Sequence, residues 1–419
     1  MAQTQLLNTI SPSQSLAEKR GYDYDLVIVG GGIIGLTLAA ALHDSGLKIL
    51  LIEARVQSAS VAKGQAYAIH MLSALIYQGI GIWDKILPQI ETYNRVCLSD
   101  ADYAGVVEFN TSDIGSQDLG FVAEHQALLY PLQELVKESP NITYLCPAEV
   151  ISTEYLENIA TVEVKVAGEI CKIRSHLVVA ADGGNSRIRQ AARIKTRGWK
   201  YWQSCIVAFV KPEKPHNNTA YEKFQASGPF AILPLPGNRC RIVWTAPHEE
   251  AKALCELDDE QFLAQLQQRF GNHLGKLELL GDRFVFQVQL MQSDHYVLHR
   301  LALIGDAAHK CHPVGGQGLN LGIRDAAALA QVIREAHSTG KNIGDVKVLK
   351  TYERWRKREN LAILGFTDLL DRLFSNKFLP VVIVRRFGLW VMQRVPFIKI
   401  FNLKLMIGLK GRKPELAGD

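Results

Sequence analysis

The hydrophobic positions near the N-terminus come in short, unbroken runs separated by a helical pattern. Tyr24 to Val29 (YDLVIV) is one run of strand length and Lys48 to Ile52 (KILLI) is another. Between them, Leu36 to Ser45 has the alanine and leucine content of a helix, which Gly46 stops. Continuous apolar runs of this length fit strands covered on both faces, which is the habit of parallel sheets. The signature recurs. Leu177 to Ala181 runs into Asp182, and Leu301 to Ile304 runs into Gly305 and Asp306, before Ile323 to Ala336 reads as a helix. From Tyr201 to Thr245 strand patterns dominate, and Pro236-Gly-Asn238 predicts a hairpin between Phe230–Leu235 and Arg239–Thr245.

The first unit carries chemistry. Gly30, Gly32 and Gly35 give the G-x-G-x-x-G spacing between strand and helix, with Ile33 and Ile34 inside it. Gly30 permits the tight turn, Gly32 opens backbone N–H groups to a pyrophosphate, and Gly35 allows helix and strand to pack closely. Glu53, followed by Ala54, ends the second strand and suits the two ribose hydroxyls of an adenosine. An acid there would repel a 2′-phosphate, so the unit points to FAD or NAD and not to NADP as the resident dinucleotide. A glycine-rich turn without a ligand is the plainer reading of a bare glycine pattern, but the ordered strand, helix, strand and acid outweigh it.

Composition narrows the class. The chain has 419 residues, 47% of them hydrophobic, with a formal net charge of +5. That length implies at least two domains, and that charge does not indicate a nucleic-acid partner. Seven cysteines lie singly, which fits free thiols in a reducing, cytoplasmic setting. Residues 1–21 read as a disordered tail and not as a signal peptide. No metal-ligand spacing is present, and no apolar run reaches membrane-spanning length.

Gly30, Asp182-Gly183 and Gly305-Asp306 are three strand ends suited to one long ligand, and FAD is such a ligand. On this reading Asp306 bonds a ribitol hydroxyl, and the amides at Gly318, Leu319 and Asn320 face the flavin ring. The segment His312 to Asp325 (HPVGGQGLNLGIRD) then resembles, without a gap, the signature of the ubiquinone-biosynthesis hydroxylases among the flavoprotein aromatic monooxygenases. Tyr67 to Trp83, Leu119 to Glu124, Gly228 to Thr245 and Tyr352 to Phe374 are similar to the same family, so the likeness runs from Tyr24 onward. It implies an α/β fold with a discontinuous Rossmann-type FAD-binding domain at 22–72, 120–198 and 282–360. A β-sheet substrate domain of α+β type would occupy 73–119 and 199–281, and a helical C-terminal region 361–419. It also adds Gln65, Gln126, Val150 and Ala181 to the expected cofactor contacts, and Pro313, Gly315, Gly316 and Gln317 as the flavin-facing loop. One position departs from the family, which usually has arginine where this chain has Gln65. Glutamine can donate a hydrogen bond but cannot neutralise a phosphate.

The implied activity is hydroxylation of a prenylated phenol in ubiquinone or plastoquinone biosynthesis, with non-covalent FAD, O2, and NADH or NADPH as a transient reductant. A flavin-dependent isoprenoid reductase and an inactive flavin-binding subunit of a quinone-biosynthesis complex are the competing readings. Tyr221, Phe224 and Trp244 are candidates for the substrate pocket and equally for plain core. His309 and His312 read as structural rather than as proton shuttles. Residues 377–413 hold nine Lys or Arg and no acid among large apolar residues. That composition fits a helix lying on the inner face of a membrane, or equally a helix pair packed on the protein.

Overall fold

Strand β1 (Tyr24–Val29) lies at the centre of an eight-stranded sheet in the computed structural model, which describes residues 21–56, 65–100 and 105–418. The expected disordered tail falls almost wholly outside those residues. Strands Ile49–Ile52 and Glu169–Ala180 flank β1 in parallel, and Ile142–Leu145 and Leu301–Leu303 extend the parallel set on either side. Leu26, Val27, Ile28, Leu50 and Leu51 have no exposed surface, as the unbroken apolar runs require. Helix α1 (Ile33–Ala41) begins three residues before the sequence pattern suggests and ends four earlier. The chain becomes helical directly after the extended Gly32, and residues 42–45 close as turns instead, with the Ser45 hydroxyl donating to the Leu42 carbonyl.

The second sheet also has eight strands and is almost entirely antiparallel. Its order is His309–Lys310, Leu277–Ser293, Thr196–Pro212, Arg239–Pro247, Phe230–Leu235, β2 (Thr219–Phe224), Arg95–Asp100 and Val106–Asn110. The predicted hairpin is there, with Phe230 opposite Trp244. Two strands of 17 residues, Thr196–Pro212 and Leu277–Ser293, run straight through positions 198/199 and 281/282, so single strands join the two halves of the molecule. One face of this sheet packs on Phe262, Leu266 and Phe270 of a covering helix. A third sheet has three short strands, in the order Ala66–His70, Gly120–Glu124 and Glu91–Tyr93.

Helix α2 (Gln317–Ser338) follows the glycine loop and is longer than its apolar pattern predicts. Its two internal glycines cost intrinsic helix stability, yet one has a packing reason. A Cβ at Gly322 would meet the Ile34 side chain at 2.7 Å, so the glycine lets α2 approach α1 without displacing that side chain. Helix α3 (Val346–Phe374) leads into α4 (Leu379–Arg394) and α5 (Pro396–Met406). Leu389, Leu403 and Ile407 join Phe374, Phe224 and Val314 in one buried cluster, so the basic tail packs on the protein. Its other face is open, with Leu379, Phe387 and Phe397 more than 60% exposed. Among the described residues no helix is long and apolar enough to cross a membrane.

Candidate active site

A cavity of about 640 Å³ lies where the two large sheets, the glycine loop before α2 and the C-terminal helices meet. Each contributes a different chemistry. The parallel sheet and α1 supply Gly32, Ile33, Ile34, Ala181, Gly183 and Asp306 at strand and helix ends. The loop supplies Pro313, Gly315, Gly316, Gly318 and Leu319. The antiparallel sheet supplies an apolar wall that includes Phe224, Phe230, Leu233 and Val243, and the C-terminal helices add Leu370, Met392, Leu403 and Met406.

The first end has the form of a dinucleotide cradle. A Cβ at Gly35 would sit 1.8 Å from the Gly30 carbonyl, and one at Gly30 would sit 2.3 Å from the Ala181 carbonyl. These two glycines are therefore fixed by packing, whereas Gly32 faces open space where a ligand could approach its backbone. The Glu53 carboxylate accepts the Gly31 N–H at 2.7 Å and the Arg55 N–H at 2.8 Å, which holds the acid at the strand end beside the glycine turn. Asp182 accepts the Ile188 N–H with one oxygen, while its Oδ1 is buried without a partner among the described residues. A buried carboxylate oxygen without a donor is costly, and a ligand hydroxyl would satisfy it. Asp306 is exposed at the cavity wall, and desolvation there raises its carboxyl above the usual range despite His309 and Lys310. The donor set fits FAD: backbone amides at a helix N-terminus, two carboxylates for hydroxyls, and an apolar chamber beyond them.

Not every expected contact faces that space. Ala54 is exposed beyond the strand, Gln126 opens the helix His125–Glu138, and Val150 packs against the main core; none borders the cavity. Gly305 is buried under Ile34 at positive φ. Gln65 is exposed and accepts the Tyr67 hydroxyl at 2.9 Å. The Gln317 side chain turns away to donate to the Met406 carbonyl at 3.0 Å, tying the loop to α5. Asn320 lies behind the wall with every polar atom engaged. It accepts from the His70 amide and the Ser73 hydroxyl and donates to the carbonyls of Ala68 and Gly316. Its side chain pins the loop, because a carboxamide with four filled bonds has nothing left for a flavin. Of the three pocket candidates, Phe224 lines the cavity, whereas Tyr221 and Trp244 belong to the core behind the sheet.

The loop is held from below by a buried charge network. Asp325 accepts from His309 Nε2 at 2.6 Å, Arg356 Nε at 2.8 Å, Asn360 Nδ2 at 3.0 Å and the Gly305 amide at 3.2 Å. Burial alone would raise its carboxyl, but His309 and Arg356 prevail and hold it at about 2. His309 is thus structural, and so is His312, which is buried against Gln203 and Asp371. Sequence reasoning missed the groups that strands bring in from afar. His70 places Nε2 3.0 Å from the Gly315 carbonyl and donates to it, while burial and Arg324 push its pKa down to about 3. Arg241 lines the cavity from mid-strand and donates to the Ala66 carbonyl, and Glu222 lines it from β2. Glu222 shows in the sequence only as an acid within a strand pattern, whereas His70 and Arg241 lie in the family-like segments Tyr67 to Trp83 and Gly228 to Thr245, which assign them no role.

The comparisons agree with this geometry. The model of the FAD binding domain family matches residues 23–367. A ubiquinone hydroxylase of Rhodospirillum rubrum is 35% identical, over 93% of this chain and 91% of its own length. The 3-demethoxyubiquinol 3-hydroxylase of Escherichia coli is 32% identical over 92% of this chain and 98% of its own. An uncharacterized Synechocystis protein is 52% identical over 94% and 95%. Among solved structures, the p-nitrophenol 4-monooxygenase of Pseudomonas putida shares the fold with a TM-score of 0.77 and 17% identity, covering 93% of this chain and 98% of that one. The chain belongs to the FAD-binding family of flavin-dependent monooxygenases, in the group that contains the ubiquinone-biosynthesis hydroxylases.

Proposed function

We propose that this monooxygenase hydroxylates the ring of a prenylated phenol in quinone biosynthesis, with NADH or NADPH as reductant. The observation that carries the reading is a cavity that reaches Gly32, Gly183 and Asp306 of the dinucleotide cradle and opens into an apolar chamber, in a chain more than 30% identical to two ubiquinone-pathway hydroxylases. Bound FAD would supply reduction by the nicotinamide and activation of O2. Gly32, Asp182 and Asp306 would hold it, and Pro313 to Leu319 would lie beside its ring system. The protein's own contribution is to orient the phenol, to exclude water with Phe224, Leu403 and Met406, and to keep the loop rigid through Asn320 and Asp325.

The open face of α4 and α5 supports docking to an anionic membrane surface. Arg394 lies 5.9 Å from the exposed Trp390 ring and Lys410 lies 5.1 Å from Phe401, which sets cations beside apolar anchors. A membrane-bound substrate tail would then be presented next to the helices that form part of the cavity wall.

The test is direct. The purified, flavin-loaded protein should consume NAD(P)H and O2 in proportion to added prenylphenol and release a product one oxygen heavier. Reductant consumption that is independent of the phenol, with no hydroxylated product, would overturn the reading.

A further inference from the structure

Glu222 stands out in the cavity wall. On β2 the side chains alternate: Tyr221 belongs to the core behind the sheet and Lys223 donates to the Arg269 carbonyl, whereas Ala220, Glu222 and Phe224 face the cavity. The neighbours of Glu222 across the sheet are Leu98 and Ala231, both apolar. A carboxyl group among hydrocarbon is costly unless it has a partner, and among the described residues no arginine, lysine or histidine contributes to its electrostatics. The one group that favours its charged form is the backbone amide of Gly315, in the loop expected beside the flavin ring. The carbonyl of that same residue is fixed by His70.

We propose that Glu222 is the base that accepts the proton of the substrate's phenolic hydroxyl as the ring is hydroxylated. This rests on the hydroxylase reading given above. The phenolic O–H bond breaks, the proton passes to a carboxylate oxygen of Glu222, and the freed electron pair enters the ring. The ring carbon bonds the oxygen atom derived from O2, the second oxygen leaves as water, and NAD(P)H supplies the two electrons. The attacked carbon then releases its hydrogen as a proton, and the ring oxygen recovers a proton from Glu222, which returns to its starting state.

The surroundings suit that task. Burial raises the Glu222 carboxyl to about 7, outweighing the Gly315 amide, so the group can be either charged or neutral near neutral pH. Tyr93 is the other titratable group that senses it, and burial holds that phenol neutral, far above its ordinary range. Leu98 and Ala231 add no charge from the adjoining strands, and the glycine loop adds only its amide. The remaining ionisable groups of the cavity are Tyr67, His70, His125, Arg241, Asp306, Lys310 and Cys311.

The experiment compares wild type with Glu222→Gln, both loaded with FAD. Two substrates are used, a short prenylphenol and a ring-fluorinated analogue with a more acidic hydroxyl. Glu222→Gln should lower kcat for the parent phenol by roughly 100-fold and for the acidic phenol by much less. The rise of kcat/KM with pH through the neutral range should disappear. A second readout needs no turnover. Bound 4-nitrophenol should ionise at higher pH in wild type than in Glu222→Gln, because a neighbouring carboxylate opposes the phenolate. If the Gln variant does not retain flavin, Glu222→Asp serves in its place and should retain the neutral-range rise in kcat/KM. Equal losses on both phenols, an unchanged pH profile, or identical nitrophenol titrations would overturn the assignment. Failure of the wild type to hydroxylate either phenol would instead remove the hydroxylase reading beneath it.

Discussion

Two helical regions border the same cavity and could hardly be built more differently. Helix α2 is buried along most of its length and is fixed to α3 and the glycine loop by the Asp325 network. Helices α4 and α5 bury only Arg385, Leu389 and Leu403 fully and turn a row of large apolar side chains outward. Even the charges differ in use. Asp325 gathers partners from three segments in the dry interior. Arg385 donates to Asp100 to clamp α4 down, and the other cations of the tail are mostly near the surface. The first arrangement preserves a fixed geometry beside a cofactor. The second closes a chamber on one side and offers a surface on the other.

The sharpest break of the rigid side is Asp325→Ala. It would leave Arg356 and His309 buried without their carboxylate, and removing one partner of a buried pair costs about 3–5 kcal/mol. The variant should have a lower urea midpoint and lose flavin during purification. Wild-type values for both would mean that the network does not hold the loop. Asp306→Ala tests the ligand-facing edge of the same region. Losing the acceptor for a ribitol hydroxyl should weaken FAD binding by about 1–3 kcal/mol, or roughly 5- to 150-fold. A flavin titration by fluorescence reads this, and unchanged affinity would place the hydroxyl elsewhere.

The pH response sharpens the contrast further. His70 is held neutral, with a folded-state pKa of about 3 against an ordinary 6.5. Below 6.5 the unfolded chain binds a proton at this residue that the folded chain refuses, so stability falls as pH falls from 6.5 toward 3. By pH 5.5 the cost is about 1.4 kcal/mol. Urea unfolding at pH 7.5 and 5.5 should show this slope, diminished in His70→Gln. An equal slope in both proteins would exclude His70 as its source.

The open side should give the smallest change in stability and a large change in behaviour. Phe387→Ser with Phe397→Ser alters exposed positions, where substitutions usually stay within about 0.5 kcal/mol. Flavin content should hold while co-sedimentation with anionic vesicles drops. These substitutions isolate the surface better than truncation after Asn376, which would also unroof the cavity and strand Asp100. Binding equal to wild type would show that the apolar face does not meet the bilayer.

The nucleotide-binding half was legible because its constraints are local. Gly30, Gly32, Gly35 and Glu53 sit within one strand–helix–strand unit, and the backbone conditions that demand glycine act between neighbours in the chain or across adjacent strands. The hairpin at Pro236–Asn238 was legible for the same reason. The tail could be recognised as amphipathic, but composition could not say which face would be covered. That depended on Asp100, 285 residues away from Arg385, and on Phe224 and Phe374 meeting Leu389.

The sequence by itself thus determined the first strand–helix–strand unit, the glycine cradle, the hairpin at Pro236–Asn238 and the family resemblance, since each is written in contiguous residues. Only the tertiary structure decided which polar side chains enter the cavity. Asn320 and Gln317 lie in the most recognisable motif, yet their side chains serve Ala68 and Met406. Glu222 lies outside every family-like segment, and His70 and Arg241 lie in such segments without a role of their own, yet all three reach the centre. A side chain's direction along a strand alternates residue by residue, so its destination depends on register and on which sheet lies opposite. Long-range packing sets both.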